Sequence, residues 1–309
     1  MESTRSSILR QVDTKHLHPK AEDVRRAKQR ADLLIQELHE GNAWMYKVEE
    51  VIDHGSLSRG TGLGHFRDLD RLVVLNREHL RTIQQNDRSP RDTISRMTRS
   101  ISARRAGLIA MDYLRVWSQD HSVGVYYPGS GIKLDLVPAL RNGSGFLIPE
   151  RTTDSWIATD PARTEQRLLA AFQRCKHIRI AIRLLKGWSR ARGKLMPSYA
   201  IETFLVDRVL RGGAAPLDLL VQDFFRRIAA HDARGSVSLR GHSDAPVTVM
   251  DPVTGANLTE GVDHVRRRML IAKSRDALRV LDELEEEVYG PGGTSPASAR
   301  NLFVGRRYQ

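Results

Sequence analysis

Cysteine is almost absent from this chain of 309 residues, and the single one, Cys175, lies in an amphipathic helical pattern. One cysteine excludes a disulfide framework and a cysteine metal centre, and we expect its side chain to be small, apolar and buried. The eleven histidines form no HxxxH or HExxH spacing, which argues against a zinc site. No apolar run approaches a membrane span, and the N-terminus is charged, so a soluble cytoplasmic protein is expected.

The charge is strongly positive, with 49 Lys and Arg against 37 Asp and Glu and a net charge of +12. This balance favours anionic partners such as nucleic acid or nucleoside triphosphates. Many of the basic residues fall on long helical patterns, where a solvated face is the commonest explanation. A basic cluster near residue 100 therefore fits either a nucleic-acid groove or an exposed helix face: Arg96, Arg99, Arg104 and Arg105.

The stretch 54–75, HGSLSRGTGLGHFRDLDRLVVL, combines a Gly-Ser turn with two closely spaced carboxylates. Asp68 and Asp70 precede a β-branched run, and alternate residues of a strand point to the same side of the sheet. Carboxylates held side by side repel each other, and Mg²⁺ between them removes the repulsion. Gly55 and Ser56 offer a close-approach backbone and a hydroxyl for phosphate oxygens. The stretch predicts phosphoryl or nucleotidyl transfer.

A third carboxylate lies in the later strand pattern IKLDLVPAL, residues 132–140. Leu134 and Leu136 share an apolar face, and Lys133 and Asp135 share the opposite one. A lone strand aspartate usually faces solvent. Its place after the Asp-x-Asp strand makes Asp135 a more specific candidate for the same site.

The remaining chain is organised as a strand-containing first half and a helical second half. Residues 1–18 are polar and of uncertain order. In the first half we predict helices at about 19–40, 43–52, 76–85 and 93–118, and strands at 68–75, 122–127, 131–137 and 146–149. In the second half we predict helices at about 160–192 (with a break near residues 175–177), 199–210, 216–231 and 260–289. We predict a first domain of residues 1–160, and a second of residues 161–309 that ends in a flexible tail from residue 290.

Several motifs, in this order and spacing, resemble the CD-NTase family over nearly the whole chain from about residue 30. These proteins are bacterial relatives of cyclic GMP-AMP synthase and oligoadenylate synthase that act in CBASS anti-phage defence. The matching residues are Gly55-Ser56, Gly60-Thr61, Asp68, Asp70, Asp135, Trp156, Thr159-Asp160-Pro161, Asp251-Pro252, Asn257 and Phe303-Val304-Gly305. The chain departs from the family at Arg67, commonly Ser or Thr, and at Arg71, usually apolar.

The resemblance implies an α+β fold with a polymerase-β-like nucleotidyltransferase core, in which helices flank a mixed sheet. A C-terminal helical domain would make the molecule bilobal, with the active-site cleft between the lobes. Asp68, Asp70 and Asp135 would hold two Mg²⁺ ions, with Mn²⁺ as a substitute, and Asp135 would assist deprotonation of the acceptor hydroxyl.

The resemblance also assigns nucleotide contacts. Gly55 and Ser56 would contact the donor phosphates from the core, and Lys186 and Ser198 would grip them from the helical lobe. Tyr199 would stack on a nucleobase. Without the resemblance, Lys186 is an exposed residue of a basic helix, and Tyr199 is a core aromatic.

The implied activity is the joining of nucleoside triphosphates (ATP, GTP or others) into a cyclic di- or trinucleotide messenger, with release of pyrophosphate. Two alternatives stay open: a template-independent synthase of linear oligonucleotides, and a nucleotide-binding module that senses nucleic acid through its basic surface. Operon-encoded regulatory proteins are further candidate partners.

Overall fold

A computed structural model describes residues 3–40, 47–64, 68–76, 89–104, 114–127, 132–231, 247–286 and 296–305. The chain forms two compact units, one of residues 19–164 and one of residues 1–18 together with 165–309. The first eighteen residues, which the sequence analysis counted with the first domain, thus belong to the helical unit. Hydroxyls of Ser3 and Ser6 donate to the carboxylate of Asp218, each at 2.9 Å, which fixes this segment to the C-terminal half.

The unit of residues 19–164 is built on a seven-stranded mixed sheet. Its described elements are α2 (Ala21–Glu40), β1 (Val48–His54), α3 (Gly55–Ser58), β2 (Asp68–Leu75), α4 (Pro90–Arg104), β3 (Arg115–Ser118), β4 (Val123–Tyr127), β5 (Ile132–Asn142), β6 (Gly145–Glu150) and β7 (Ser155–Thr159). The strand order is β1-β2-β5-β4-β3, with β6 paired to β5 and β7 paired to β6. Strands β2 and β5 are parallel, and the other pairs are antiparallel.

Alternation along β2 separates the core from the candidate site. Leu69, Val73 and Leu75 are buried in a cluster with Ala27 and Ala31 of α2 and with three residues of α4, which are Ile94, Met97 and Ile101. Leu72 and Val74 belong to a second buried cluster with Ala139 and Phe146. Asp70 lies in phase with Leu72 and Val74, so it projects from the face opposite to the two helices.

Arg71 lies on the helix-covered face of β2, and its side chain is only 2% exposed. Its guanidinium pairs with Asp32 of α2 at 3.0 Å and with Asp53 of the neighbouring strand β1. In the sequence, Arg71 interrupts an apolar face. The two carboxylates explain how this face accepts a buried charge, because buried charges require partners.

The second unit is helical in its described part. Its elements are α1 (Thr4–Val12), a π-helical turn (Asp13–Leu17), α5 (Pro161–Arg174, which begins in the first unit), α6 (Ile178–Ala191), α7 (Ser198–Gly212), α8 (Leu217–Ala230), α9 (His264–Glu286) and α10 (Pro296–Val304). Helix α6 is central, and its Trp188 is fully buried with edge-to-face contacts to Phe224 and Phe225. Arg183 of α6 makes two hydrogen bonds to the carboxylate of Asp13, at 2.7 and 2.6 Å.

The helix predictions for this half agree with the observed elements, including the break around Cys175, which is 2% exposed. The predicted flexible tail is corrected for residues 296–304, which form a helix with buried Ala299 and Phe303. Within the described ranges, no helix combines the length and the apolar character that a membrane crossing requires.

Two helix predictions in the first half are wrong. The predicted helix 43–52 is the strand β1 in its described part, because Val48, Val51 and Ile52 pair with β2. Of the predicted helix 93–118, the described residues up to Arg104 are helical, but residues 115–118 form β3 with exposure that alternates along the strand. Strand pairing overrode the helical spacing in both segments. The predicted helix 76–85 lies outside the described residues apart from its first residue.

Candidate active site

Five strands carry one row of register-paired residues across the sheet. From β3 to β1 the row consists of Trp117, Gly124, Asp135, Asp70 and His54. Residues paired in register project from the same side of a sheet. The parallel pairing of β2 with β5 therefore aligns two of the three predicted carboxylates on adjacent strands, about 4.8 Å apart in the hydrogen-bonding direction.

Asp68 occupies the neighbouring row, where its backbone pairs with Lys133 of β5. The side chain of Asp68 lies outside what the structure describes. Among the side chains that it does describe, no cluster of three or more metal-binding groups occurs. For the third carboxylate, the structure therefore gives only the backbone position of Asp68, two residues before Asp70 on β2.

Gly55 lies directly against Asp70 at the point where β1 passes into the short helix α3. Its φ angle is +84°, and a Cβ at this position would lie 1.8 Å from Oδ2 of Asp70. Only glycine fits, because the backbone conformation and the contact both exclude a side chain. A strand, β1, delivers the chain to this turn, where the sequence analysis expected a helix.

The Gly-Ser turn is closed by its own hydrogen bonds. The hydroxyl of Ser58 donates to the carbonyl of Gly55 at 2.8 Å, and the amide of Thr61 donates to the carbonyl of Ser56 at 2.9 Å. Thr61 is fully buried, and Ser56 is half-buried. These contacts hold the glycine backbone at Asp70.

Asp135 has polar partners on both carboxylate oxygens. Nζ of Lys133 donates to Oδ2 at 2.7 Å, and Nε2 of Gln119 donates to Oδ1. Sequence reasoning placed Lys133 on the same face as Asp135 but gave it no role. Gln119 was missed, since no spacing rule links a loop residue after β3 to a carboxylate on β5.

The indole of Trp117 extends over Gly124, where a Cβ would lie 2.5 Å from Cε2 of the ring. Nζ of Lys133 lies 6.0 Å from the centroid of this ring, within the range of a cation–π contact. Trp117 was not among the predicted site residues. The signal that could have identified it is the small residue Gly124 within a buried strand, which marks a close approach.

The described residues fit a divalent cation. Carboxylates on adjacent parallel strands provide the hard oxygen ligands that Mg²⁺ and Mn²⁺ prefer. One oxygen of Asp135 already accepts a positively charged group, the ammonium of Lys133. The glycine at Asp70 leaves the approach to that carboxylate free of a Cβ atom.

The three remaining predicted residues lie in the helical unit. The basic helix suggested that Lys186 is exposed, but its side chain is only 4% exposed. It forms an ion pair with Glu202 at 2.9 Å. Ser198 is the first residue of α7 and is exposed. Tyr199 is half-buried, and its hydroxyl donates to Oδ1 of Asp251 at 3.5 Å. Glu202 lies one helical turn after Ser198, so Lys186 reaches the first turns of α7.

The fold is that of the polymerase-β-like nucleotidyltransferases, a mixed sheet flanked by helices. It carries two aligned carboxylates on parallel strands beside a Gly-Ser turn. Residues 6–170 match the model of the Second Messenger Oligonucleotide or Dinucleotide Synthetase domain (SMODS). This match covers more than half of the sequence, and the chain belongs to that family. The resemblance to CD-NTases is thereby confirmed.

Relatives of known structure share this fold. The chain is 25% identical over 171 residues to the cyclic AMP-AMP-AMP synthase of Escherichia coli (strain MS 115-1), a match that spans 53% of this chain and 50% of that enzyme. It also resembles the structure of E. coli MS115-1 CdnC with ATP, with a TM-score of 0.70 at 18% identity. The CdnC:HORMA-deltaN complex gives a TM-score of 0.68 at 19% identity. Each structural match covers 98% of both chains.

Proposed function

We propose that this protein is a nucleotidyltransferase that joins nucleoside triphosphates into a cyclic di- or trinucleotide messenger and releases pyrophosphate. The observation that carries the proposal is the register pairing of Asp70 with Asp135, with Gly55 packed against Asp70. Carboxylates aligned on adjacent strands supply the hard oxygen ligands that a divalent cation prefers. Membership of the SMODS family supports the same activity.

Asp68, Asp70 and Asp135 would hold the divalent cations, Mg²⁺ or Mn²⁺. Bound at these carboxylates, the cations would neutralise charge on the triphosphate and lower the pKa of the acceptor hydroxyl. Asp135 would orient the acceptor hydroxyl and assist its deprotonation. Gln119 and Lys133, which both donate hydrogen bonds to its carboxylate, would hold the side chain in place. Gly55 and Ser56 would present backbone and hydroxyl groups to the donor phosphates.

The helical unit would supply further nucleotide contacts. Ser198 supports this role because it is exposed at the N-terminus of a fifteen-residue helix, where the helix dipole and the first backbone amides favour an anion. Tyr199 would provide an aromatic face for a base. For Lys186 to bind a phosphate, it would have to leave the carboxylate of Glu202, so its contribution would include the cost of breaking that buried pair.

ATP and a regulatory protein are the proposed partners, because the related CdnC was solved with ATP and in complex with HORMA-deltaN. The activity would serve anti-phage defence, as in the CD-NTases that the motifs resemble. Nucleoside triphosphates are cytoplasmic metabolites, so the proposal also places the protein in the cytoplasm.

The test is product analysis after incubation with all four nucleoside triphosphates and Mg²⁺ or Mn²⁺. The proposal expects pyrophosphate release and a product that resists phosphatase, with the mass of a cyclic di- or trinucleotide. A phosphatase-sensitive ladder of linear products would instead identify a linear oligonucleotide synthase. Binding of nucleotide without any pyrophosphate release would identify a binding module and refute the enzyme.

A further inference from the structure

A lysine lies among the carboxylates of the candidate active site. Lys133 pairs in register with Asp68, and its ammonium group contacts Oδ2 of Asp135, the residue two positions later on the same strand. Both residues project from the same face of β5 as a consequence of strand alternation. The ammonium group of Lys133 thus contacts an oxygen atom of a proposed metal ligand.

The surroundings hold Lys133 in this position without burying it completely. The indole of Trp117 lies beside the ammonium group, and Gln119 occupies the other oxygen of Asp135. The side chain of Lys133 is 26% exposed, against 15% for Asp135. The lysine can therefore move towards solvent while the carboxylate stays in place, held by Gln119.

An ammonium group and a divalent cation compete for one carboxylate oxygen, because each neutralises the negative charge that attracts the other. We propose that Lys133 is a displaceable counter-ion of Asp135. It stabilises the carboxylate cluster before metal binds, is displaced when a divalent cation binds, and thereby lowers the metal affinity of the enzyme in the absence of nucleotide. This inference rests on the proposed metal-dependent function. It makes Lys133 a positioning residue that acts through Asp135.

The test measures Mn²⁺ binding to the full-length, metal-free protein without nucleotide, from the electron paramagnetic resonance signal of free Mn²⁺. Lys133→Met removes the charge and keeps an unbranched apolar side chain that is one atom shorter. We expect Mn²⁺ to bind about fivefold more tightly, the size that a partly exposed ion pair supplies. Lys133→Arg keeps the charge and should bind Mn²⁺ within about twofold of the wild type.

The matched control is Arg141→Met, which removes the same charge from the same strand. Arg141 lies six residues beyond Asp135, about 20 Å along β5, and pairs with Glu50. Its substitution should leave Mn²⁺ affinity unchanged. Lys133→Gln is a second neutral variant, and thermal melting verifies that each variant is folded.

The decisive comparison repeats Lys133→Met in an Asp135→Asn background. If Lys133 acts through Asp135, the gain in Mn²⁺ affinity disappears there. An equal gain in both backgrounds, or no gain in the single neutral variants, would overturn the inference while leaving the proposed function intact. Failure of both the wild type and Lys133→Met to bind Mn²⁺, with or without a nucleoside triphosphate, would contradict the proposed function as well as the inference, so the two failures are distinguishable.

Discussion

The contact between Gly55 and Asp70 makes Gly55→Ala the sharpest perturbation of the site. The new Cβ would lie 1.8 Å from Oδ2 of Asp70, and a tolerable contact requires at least 3.0 Å, so the carboxylate must move by about 1.2 Å. A misplacement of about 1 Å can cost on the order of 100-fold in rate. The positive φ angle of +84° adds a backbone cost of about 1–2 kcal/mol in stability.

We therefore expect Gly55→Ala to melt about 3–6 °C lower and to synthesise product about 100-fold more slowly. The assay pairs a thermal melt with pyrophosphate release from saturating nucleoside triphosphates. Gly143→Ala is the matched control, since Gly143 lies in the turn between β5 and β6 with φ +58° and nothing within 4 Å of a Cβ. It should show a comparable loss of stability and full activity. Activity of Gly55→Ala within threefold of this control would refute the reasoning.

Three further predictions concern charges outside the carboxylate row. Lys186→Met should destabilise the protein by about 3 kcal/mol in urea unfolding, because it removes the counter-charge that Lys186 supplies to the buried carboxylate of Glu202. Glu202→Gln in the same chain should restore part of this loss, and no restoration would contradict a structural ion pair. Arg71→Met should lower the free energy of unfolding by at most about 1 kcal/mol, because its partners Asp32 and Asp53 are 67% and 46% exposed and can be hydrated. A loss of stability as large as that of Lys186→Met would be inconsistent with this difference in burial. Hydrogen bonding from Lys273 holds the pKa of Asp276 below its ordinary value, so Asp276→Asn should lose a few tenths of a kcal/mol at pH 7. This loss of stability should vanish as the pH falls through the lowered pKa, which lies below the ordinary value of about 3.9. An unchanged difference in unfolding free energy between Asp276→Asn and the wild type at pH 2 would contradict the prediction.

Sequence reasoning located the carboxylates because alternation in a strand is a local property. The pattern IKLDLVPAL separated Asp135 from Leu134 and Leu136, and both leucines are indeed fully buried. The motif order also led to the correct family and to the mixed sheet with flanking helices. The pairing of Asp70 with Asp135 depends on the register of two strands more than sixty residues apart, which alternation does not supply.

The features that sequence reasoning missed are non-local. Strand β1 has helical spacing and becomes a strand only because β2 is available to pair with it. In the sequence, Arg71 only interrupts an apolar face. The fold brings Asp32 of α2 and Asp53 of β1 to its guanidinium, and these contacts cannot be predicted from local spacing. The first helix belongs with the helical unit because Ser6 meets Asp218, a contact across 212 positions of the chain.

The most direct measurement of the central claim compares product formation by Asp135→Asn with that by Asp120→Asn. Both substitutions remove one negative charge from residues 19–164, but Asp120 is exposed, in a hydrogen bond with Thr152, and lies outside the carboxylate row. With the four nucleoside triphosphates and Mg²⁺, mass spectrometry should show a cyclic product from Asp120→Asn at the wild-type level. Asp135→Asn should give at least about 100-fold less. Equal product from the two variants would contradict a nucleotidyltransferase site at the aligned carboxylates.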